Sequence, residues 1–527
     1  MFQHIRFRRL MPALVAVTTL TFVAACGGGG GAVTGGAPTD EGEPTPGGSA
    51  QIIQHAEPQS LDPAALSNTW AHMGTLGNAL YGTLITNDSA TLETEYKMAT
   101  GFSTSDGGKT FDLTLRPGLS FTDGTPLDAA AVKFNWDRLK DRSLGSNSTR
   151  YAVLVESTEV VAPDVMRATL IAPNPQFAET LLASSMNWIA SPTALQKGTQ
   201  SYSENPVGAG PFKLVKWNRQ AEIELEKNPG FWDAPKPYLD RLTIRTVHDA
   251  NQRLNAVATG AADLAPESSM GAIADAQARG VHYEIIPTGG GQFIGMNNKR
   301  PPFDDVRARG AIQMALDTEG LNTIVFNGKN EVPQTLFNEE SAYYADIPLQ
   351  NENSAEAQRL FNELAAEGKP VSATFMSYPV SDSRTLAEGV QAQLSKYDNV
   401  DVKVDVRDIS GATRATLTGD FDMTISAAIV QGPDFALWTL FHSASTGNQM
   451  GVSDPELDAA LDKGRVAATE AERMEAYTAV QNRINAVVPG VWYTRAVPAV
   501  MYGDQLRGVE MYTLGSVLPE ELWRTGQ

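Results

Sequence analysis

The chain has 527 residues, 42% hydrophobic and 19% charged, the balance of a soluble globular protein long enough to need more than one hydrophobic core. Its 41 basic and 61 acidic residues give a formal charge of −20, and no basic cluster relieves it, which excludes nucleic acid and anionic lipid as partners held by charge. Cys26 is the single cysteine, so an internal disulfide is excluded and stability must come from burial.

In chain order, Arg6, Arg8 and Arg9 head an uncharged, mostly apolar run over residues 10–25 that ends in Ala24 and Ala25. Val23, Ala24, Ala25 and Cys26 resemble the lipobox of a bacterial lipoprotein signal, which implies a signal peptide over 1–25 and lipid attachment at Cys26. A retained anchor and a soluble secreted chain are the alternatives, but the run is shorter than the roughly 20 apolar residues that span a bilayer as a helix. Neighbouring arginines are common in signal heads and say little about a twin-arginine route. Removing this segment, with three arginines and no acid, brings the charge to −23. Residues 26–48 are rich in Gly, Pro, Thr and acids, a composition that buries too little to offset its ordering entropy, and read as a flexible tether.

The body then alternates short β-rich runs with amphipathic helices. Strands are predicted at 51–54, 111–115, 212–217, 223–227, 242–247 and 400–406; Phe111, Leu113 and Leu115 alternate with polar residues, the period of a strand with one buried face. Helices are predicted at 129–139, 306–316, 354–366, 383–394, 455–466 and 470–486, the first from the helical spacing of Ala129, Val132, Trp136 and Leu139. No repeat, heptad array or second long apolar segment appears, so the fold class is mixed α/β.

Catalytic and nucleotide motifs fail when tested by position. Gly107-Gly108-Lys109-Thr110 lacks the earlier glycine of a phosphate loop, since Ser103 stands there, and reads as a turn. Gly289-Gly290-Gly291 is followed by Gln292 and Ile294 where a dinucleotide fingerprint needs glycines. No serine lies in a G-x-S-x-G elbow. The six histidines, at 4, 55, 72, 248, 282 and 442, never pair at metal-ligand spacing. No enzyme activity, catalytic residue, cofactor or metal is expected.

Ser60-Leu61-Asp62-Pro63, residues 80–84, residues 106–118, residues 121–134, residues 206–214, Lys227-Asn228-Pro229-Gly230-Phe231-Trp232 and residues 302–307 are, in that order, similar to solute-binding protein family 5 of ABC importers. The resemblance implies an extracytoplasmic receptor for a peptide or another small organic solute, which it passes to ABC transporter permease subunits. Further expectations are a monomer with no nucleic-acid partner, held to the membrane through the lipid on Cys26, on the outer face of the cytoplasmic membrane or in the periplasm. An envelope sensor or scaffold lipoprotein of the same fold is the alternative. The residues by themselves reach only a tethered, acidic capture protein. Within the motifs, Gly124 and Pro126 read as a tight turn and Asp304 and Asp305 as caps of the following helix.

The resemblance further implies a two-lobed periplasmic-binding-protein clamshell of the large type, with an extra subdomain in the N-terminal lobe. The first lobe is expected over 49–79, 205–293 and 491–527, the subdomain over 80–204 and the second lobe over 294–490. Hinge crossings are expected near Phe293 and Val491, with Gly289 to Gly291 and Pro489-Gly490 beside them. Candidate ligand contacts are Asn68, Thr69 and Trp70 after the first strand, Gln431, Asp434 and Trp438 in the second lobe, and Trp492 and Tyr493 beyond the return crossing. Peptide-binding relatives carry an aspartate for the ligand's α-amino group where Val430 or Gln431 stands here, with Asp434 at a neighbouring, structural position. Ligands held by a free amino end are therefore expected to bind poorly.

Overall fold

The computed structural model describes residues 42–526 apart from 69–72, 90, 340 and 468. The signal segment, Cys26, most of the tether, Thr69 and Trp70 lie outside the described residues. The last stretch expected as tether runs against the body: Gly47 donates its N–H to Tyr238 O at 2.8 Å and the Thr45 hydroxyl donates to Arg524 O at 3.0 Å.

Three main sheets organise the body. The first has seven strands in the order His282–Ile285, Ala499–Tyr502, Leu264–Glu267, Ser49–Gln54, Arg241–Thr246, Glu222–Lys227 and Phe212–Asn218. Ser49–Gln54 runs parallel to both neighbours and the other pairs are antiparallel. The second has five strands in the order Val400–Val406, Val371–Ser377, Met423–Val430, Gly289–Met296 and Gly490–Thr494. A four-stranded antiparallel sheet, Ala99–Ser103, Thr110–Leu115, Val165–Leu170 and Val155–Ala162, packs with the helix Ala129–Leu139 inside the segment expected as the subdomain.

Each large sheet is buried on both faces because side chains alternate along a strand. Ile52 enters one core of the first lobe and Ile53 another. In the second sheet Phe293 and Trp492 face one core, while Ile294, Val491 and Tyr493 face the opposite one. Helices Val306–Ala315, Ser354–Ala366 and Ser381–Leu394 cover the second of these faces, and Pro455–Val466 with Glu470–Val487 cover the first. Local sequence sets the helix ends: Asn353 and Asp454 accept N–H groups of the first turn, Pro455 takes a position with no N–H to lose, and Thr469 with Glu472 forms a reciprocal capping box. In the subdomain, Asp128 caps Ala129–Leu139, whose buried Trp136 donates Nε1–H to Met186 O at 2.9 Å.

Two expectations about the crossings need correction. Phe293 and Val491 lie inside strands of the second sheet, so the chain passes between the lobes at 286–288 and at 495–498. Gly289, Gly290 and Gly291 belong to the strand Gly289–Met296 and not to a hinge loop. They are there for space and backbone shape: Gly290 and Gly291 have φ of +69° and +138°, and a Cβ on either would collide with the carbonyl oxygen of Ala428 or of Thr494. Pairing with Gly490–Thr494 slips at Gln292/Phe293, a bulge that such backbone permits. Gly208 and Gly210 serve a similar purpose, since a Cβ there would strike the carbonyl oxygens of Leu80 and Ala79. The turn at Gly124, φ +80°, and the cap by Asp305 of Val306–Ala315 match the sequence reading.

Candidate ligand cleft

The two crossings run side by side. Ile286 donates its N–H to Pro498 O at 2.9 Å, and Thr288 Oγ1 donates to Ala496 O at 2.9 Å. Arg495, only 5% exposed, sits at the start of the return crossing. Its guanidinium donates to Gly290 O at 3.1 Å, to Thr335 O and Leu336 O at 3.4 Å, and pairs with Glu331 at 3.1 Å.

Beyond the crossings the lobes meet over a cavity of about 40 Å³, lined by Thr513 of the first lobe, Asn87, Glu179 and Leu182 of the subdomain, and Gln431 and Phe435 of the second lobe. A space of that size holds little more than water, so the lobes stand closed and a larger solute enters only as they part. A second cavity of about 730 Å³ opens between Tyr151, Leu154 and Ile171 of the subdomain and Trp438, His442 and Val466 of the second lobe. The rings of Tyr151, lining the larger cavity, and Phe435, lining the smaller one, contact at 4.9 Å.

Polar contacts between the lobes centre on residues 431–435. Glu179, in the short helix Phe177–Leu182, accepts the Phe435 N–H at 3.4 Å, and a Cβ on Gly432 would overlap its carboxylate. Asn174 of the subdomain donates Nδ2–H to Asp434 Oδ2 at 3.2 Å. Asp434 is itself 2% exposed and paired with Arg465 Nε at 2.9 Å. Burial first, and the Asp434 carboxylate second, push Glu179 up to about 8, with Arg473 and Arg465 opposing. Gln431 points its amide into the same region, and its buried Nε2 finds no acceptor among the described residues.

The residues singled out from sequence are thus dispersed. Gln431 lines the small cavity and Trp438 the large one. Trp438 is already engaged: His442 stacks on it at 4.6 Å, the Arg465 guanidinium lies 4.0 Å from its ring centroid, and Nε1–H donates to Asp462 at 3.1 Å. Asp434 is the buried partner of Arg465, in keeping with a structural position.

Asn68, 2% exposed, is consumed by protein: Nδ2 donates to Leu182 O at 2.8 Å and Tyr512 Oη at 3.1 Å, and Oδ1 accepts from the Ser516 hydroxyl at 2.7 Å. Trp492 and Tyr493, expected beyond the crossing at the cleft, are core residues of the strand Gly490–Thr494. Trp492 stacks on Phe293 at 4.8 Å, and Tyr493 donates its hydroxyl hydrogen to Gln292 Oε1 at 2.5 Å. Large aromatics on a sheet buried on both faces have nowhere else to go.

Glu179, Asn87, Phe435 and Thr513 escaped the sequence reading. Glu179 sits in Phe-Ala-Glu-Thr-Leu-Leu, where one acid on a short helix looks like a solvated face. Only the docking of the second lobe makes it interior.

The family of bacterial extracellular solute-binding proteins, family 5 (middle region), matches residues 93–448. The glutathione-binding protein GsiB of Salmonella paratyphi A is 30% identical over 302 residues, 57% of this chain and 58% of the relative. GsiB of Pectobacterium atrosepticum is 27% identical over 418 residues, 75% and 79% of the two chains. The chain therefore spans less than three fifths of the first curated relative it matches and more of the second.

Among solved structures, the periplasmic binding protein AgaA of A. tumefaciens R10 in complex with agropinic acid superposes with TM-score 0.79 at 23% identity, covering 91% of this chain and 99% of that one. DppA of Helicobacter pylori with the peptide STSA gives 0.78 at 22%, covering 92% and 99%. These likenesses show the two-lobed α/β fold. The matched span, well over half the sequence, shows that the chain belongs to family 5 of the bacterial extracellular solute-binding proteins, a family of receptors and not of enzymes.

Proposed function

We propose that this protein captures a small organic solute or peptide between its lobes outside the cytoplasmic membrane and hands it to the permease subunits of an ABC importer. The observation that carries this reading is the interlobe cleft. Three parts of the fold line it, two adjacent crossings join its walls, and it holds the half-buried Glu179 carboxylate and the Gln431 amide, whose Nε2 has no partner among the described residues. Relatives carry names for glutathione binding, and structural neighbours were solved with a peptide or with agropinic acid, so the ligand belongs among small polar organic molecules.

Mass spectrometry of small molecules released on denaturing the purified protein tests this, with one stoichiometric organic solute as the expected result. Addition of that solute to stripped protein is expected to reduce the radius of gyration in small-angle scattering and to raise the melting temperature by mass action on the folded state. Superimposable scattering curves at saturating solute would refute closure.

The reading includes export and anchoring through Cys26, with the glycine-rich segment as leash. Cys26→Ser is expected to move the protein from the detergent phase to the aqueous phase or to leave it unprocessed. A single acyl chain binds membranes only weakly, so the wild type needs the multiply acylated cysteine that the lipobox implies. Equal partitioning of the two forms would refute the anchor.

A further inference from the structure

Two polar groups at the closed cleft lack the partners that burial normally demands. Gln431 Nε2 is a buried donor with no acceptor among the described residues. Glu179 is a carboxylate with one long backbone hydrogen bond, at 3.4 Å, and with a second carboxylate, Asp434, beside it. The elements packed around the site bring their own charged groups. Helix Pro455–Val466 brings Arg465, already paired with Asp434 at 2.9 Å. Helix Glu470–Val487 brings Arg473, which donates to Tyr343 Oη at 3.1 Å, and Tyr477. The cavity wall itself adds Asn87, whose Oδ1 accepts the Thr513 N–H at 2.7 Å, and apolar Leu92, Leu182 and Phe435. Arg465 is committed to Asp434, and Arg473, whose buried Nε has no partner among the described residues, makes no ion pair with Glu179 there, so the site still lacks a cation in contact with Glu179 and an acceptor for Gln431.

We infer that Glu179 and Gln431 are the ligand-reading pair of this cleft, Glu179 taking a protonated amine of the solute and Gln431 donating to a carbonyl or carboxylate oxygen near that amine. The inference rests on the proposed capture function and names the chemistry of its ligand: an amine with a neighbouring oxygen acceptor, as in an amino acid amide, a free peptide or a γ-glutamyl compound. It reverses the expectation drawn from Val430 and Gln431 that free amino ends bind poorly, because the negative charge comes from the subdomain wall instead of the second lobe. A carboxylate held this way carries a proton when the cleft is closed and empty, as its elevated pKa of about 8 indicates. In the closed complex an ammonium group takes the place of that proton, so Glu179 is ionised there.

The experiment titrates stripped full-length protein with Met-Leu dipeptide, leucinamide and glutathione, each beside its N-acetylated twin, by calorimetry at pH 6 and pH 8 in buffers of different ionisation enthalpy. The expected result is binding of at least one free amine about tenfold or more tighter than its twin at both pH values, a preference lost in Glu179→Gln, and an affinity weakened in Gln431→Ala. Glu179→Gln is isosteric and neutral, and its circular dichroism and melting point at pH 6 report that it folds.

Twins that bind as well as the free amines, or an amine preference that survives in Glu179→Gln, overturn the inference and leave the capture function standing. No binding by any of the six compounds, while mass spectrometry finds a bound solute lacking an amine, overturns it in the same way. No solute in either experiment overturns the capture function itself.

Discussion

Asp434→Ala is expected to destabilise the protein by about 3–5 kcal/mol, the loss seen when one member of a buried ion pair is removed and the other is stranded. Asp434 and Arg465 have side-chain exposures of 2% and 11%, and the aspartate also receives the Asn174 amide across the lobe boundary. Without it, Arg465 is left over the Trp438 ring, at 4.0 Å, a contact worth far less than the pair in a site with little water.

A second effect separates this reading from a ligand role for Asp434. Its charge helps to hold Glu179 in the protonated form, so the variant should bring the Glu179 pKa down toward the ordinary carboxylate range. Urea denaturation measures the first effect, and a pH titration of Glu179 followed by carbon NMR measures the second. A loss under about 1 kcal/mol combined with lost ligand affinity would show instead that Asp434 is a binding residue and that the Arg465 pair is incidental.

Some parts of this architecture are legible along the chain and others are not, and the difference follows from which contacts are local. Helices Ser354–Ala366 and Pro455–Val466 come out at their observed ends because one face is buried, the other is wet, and Asn353 or Asp454 caps the first turn within the same short stretch of sequence. Strand Gly490–Thr494 escapes because all five residues are buried, on a sheet covered on both sides, so no alternation marks it. Gly289 to Gly291 look like a flexible joint until the carbonyls of Ala428 and Thr494, distant in sequence, are seen to occupy the space a side chain would need.

The candidate site suffers most from this. Aromatic content points to Trp492 and Tyr493, which the sheet sandwich claims for its cores, while Asn68 is claimed by Tyr512 and Ser516 from the far end of the chain. Gln431 is recoverable from its place in the second-lobe segment. Glu179 is not, because its significance depends on a lobe that docks against it from more than 250 residues away.

The protein is expected to be most stable in mildly acidic solution and to lose stability as pH rises through neutrality, the opposite of the usual behaviour of carboxylate-rich proteins. Two buried acids set this direction. Glu179 is raised to about 8 by burial and by Asp434, and Glu520, 5% exposed and with Oε2 unpartnered among the described residues, is raised to about 7 by burial and then by Glu521. The sign follows from proton counts: a carboxyl group whose folded pKa exceeds its unfolded value binds the proton more tightly when folded. Its stabilisation is complete below the unfolded value and disappears as pH climbs through about 7 to 8.

At the acid end the order reverses. Asp454, held down chiefly by its hydrogen bonds from Arg483, and Asp112, held down by Arg167, contribute stability above the usual aspartate range that is lost as pH falls below it. A melting temperature several degrees lower at pH 8.5 than at pH 6 is therefore expected, since each kcal/mol moves the midpoint by about 2–4 °C in domains of 150–250 residues and by less in larger ones. The double variant Glu179→Gln/Glu520→Gln should flatten that fall, because amides neither release a proton nor carry the buried charge. A wild-type melting temperature that holds or rises from pH 6 to pH 8.5 would show that both groups ionise freely in the folded protein.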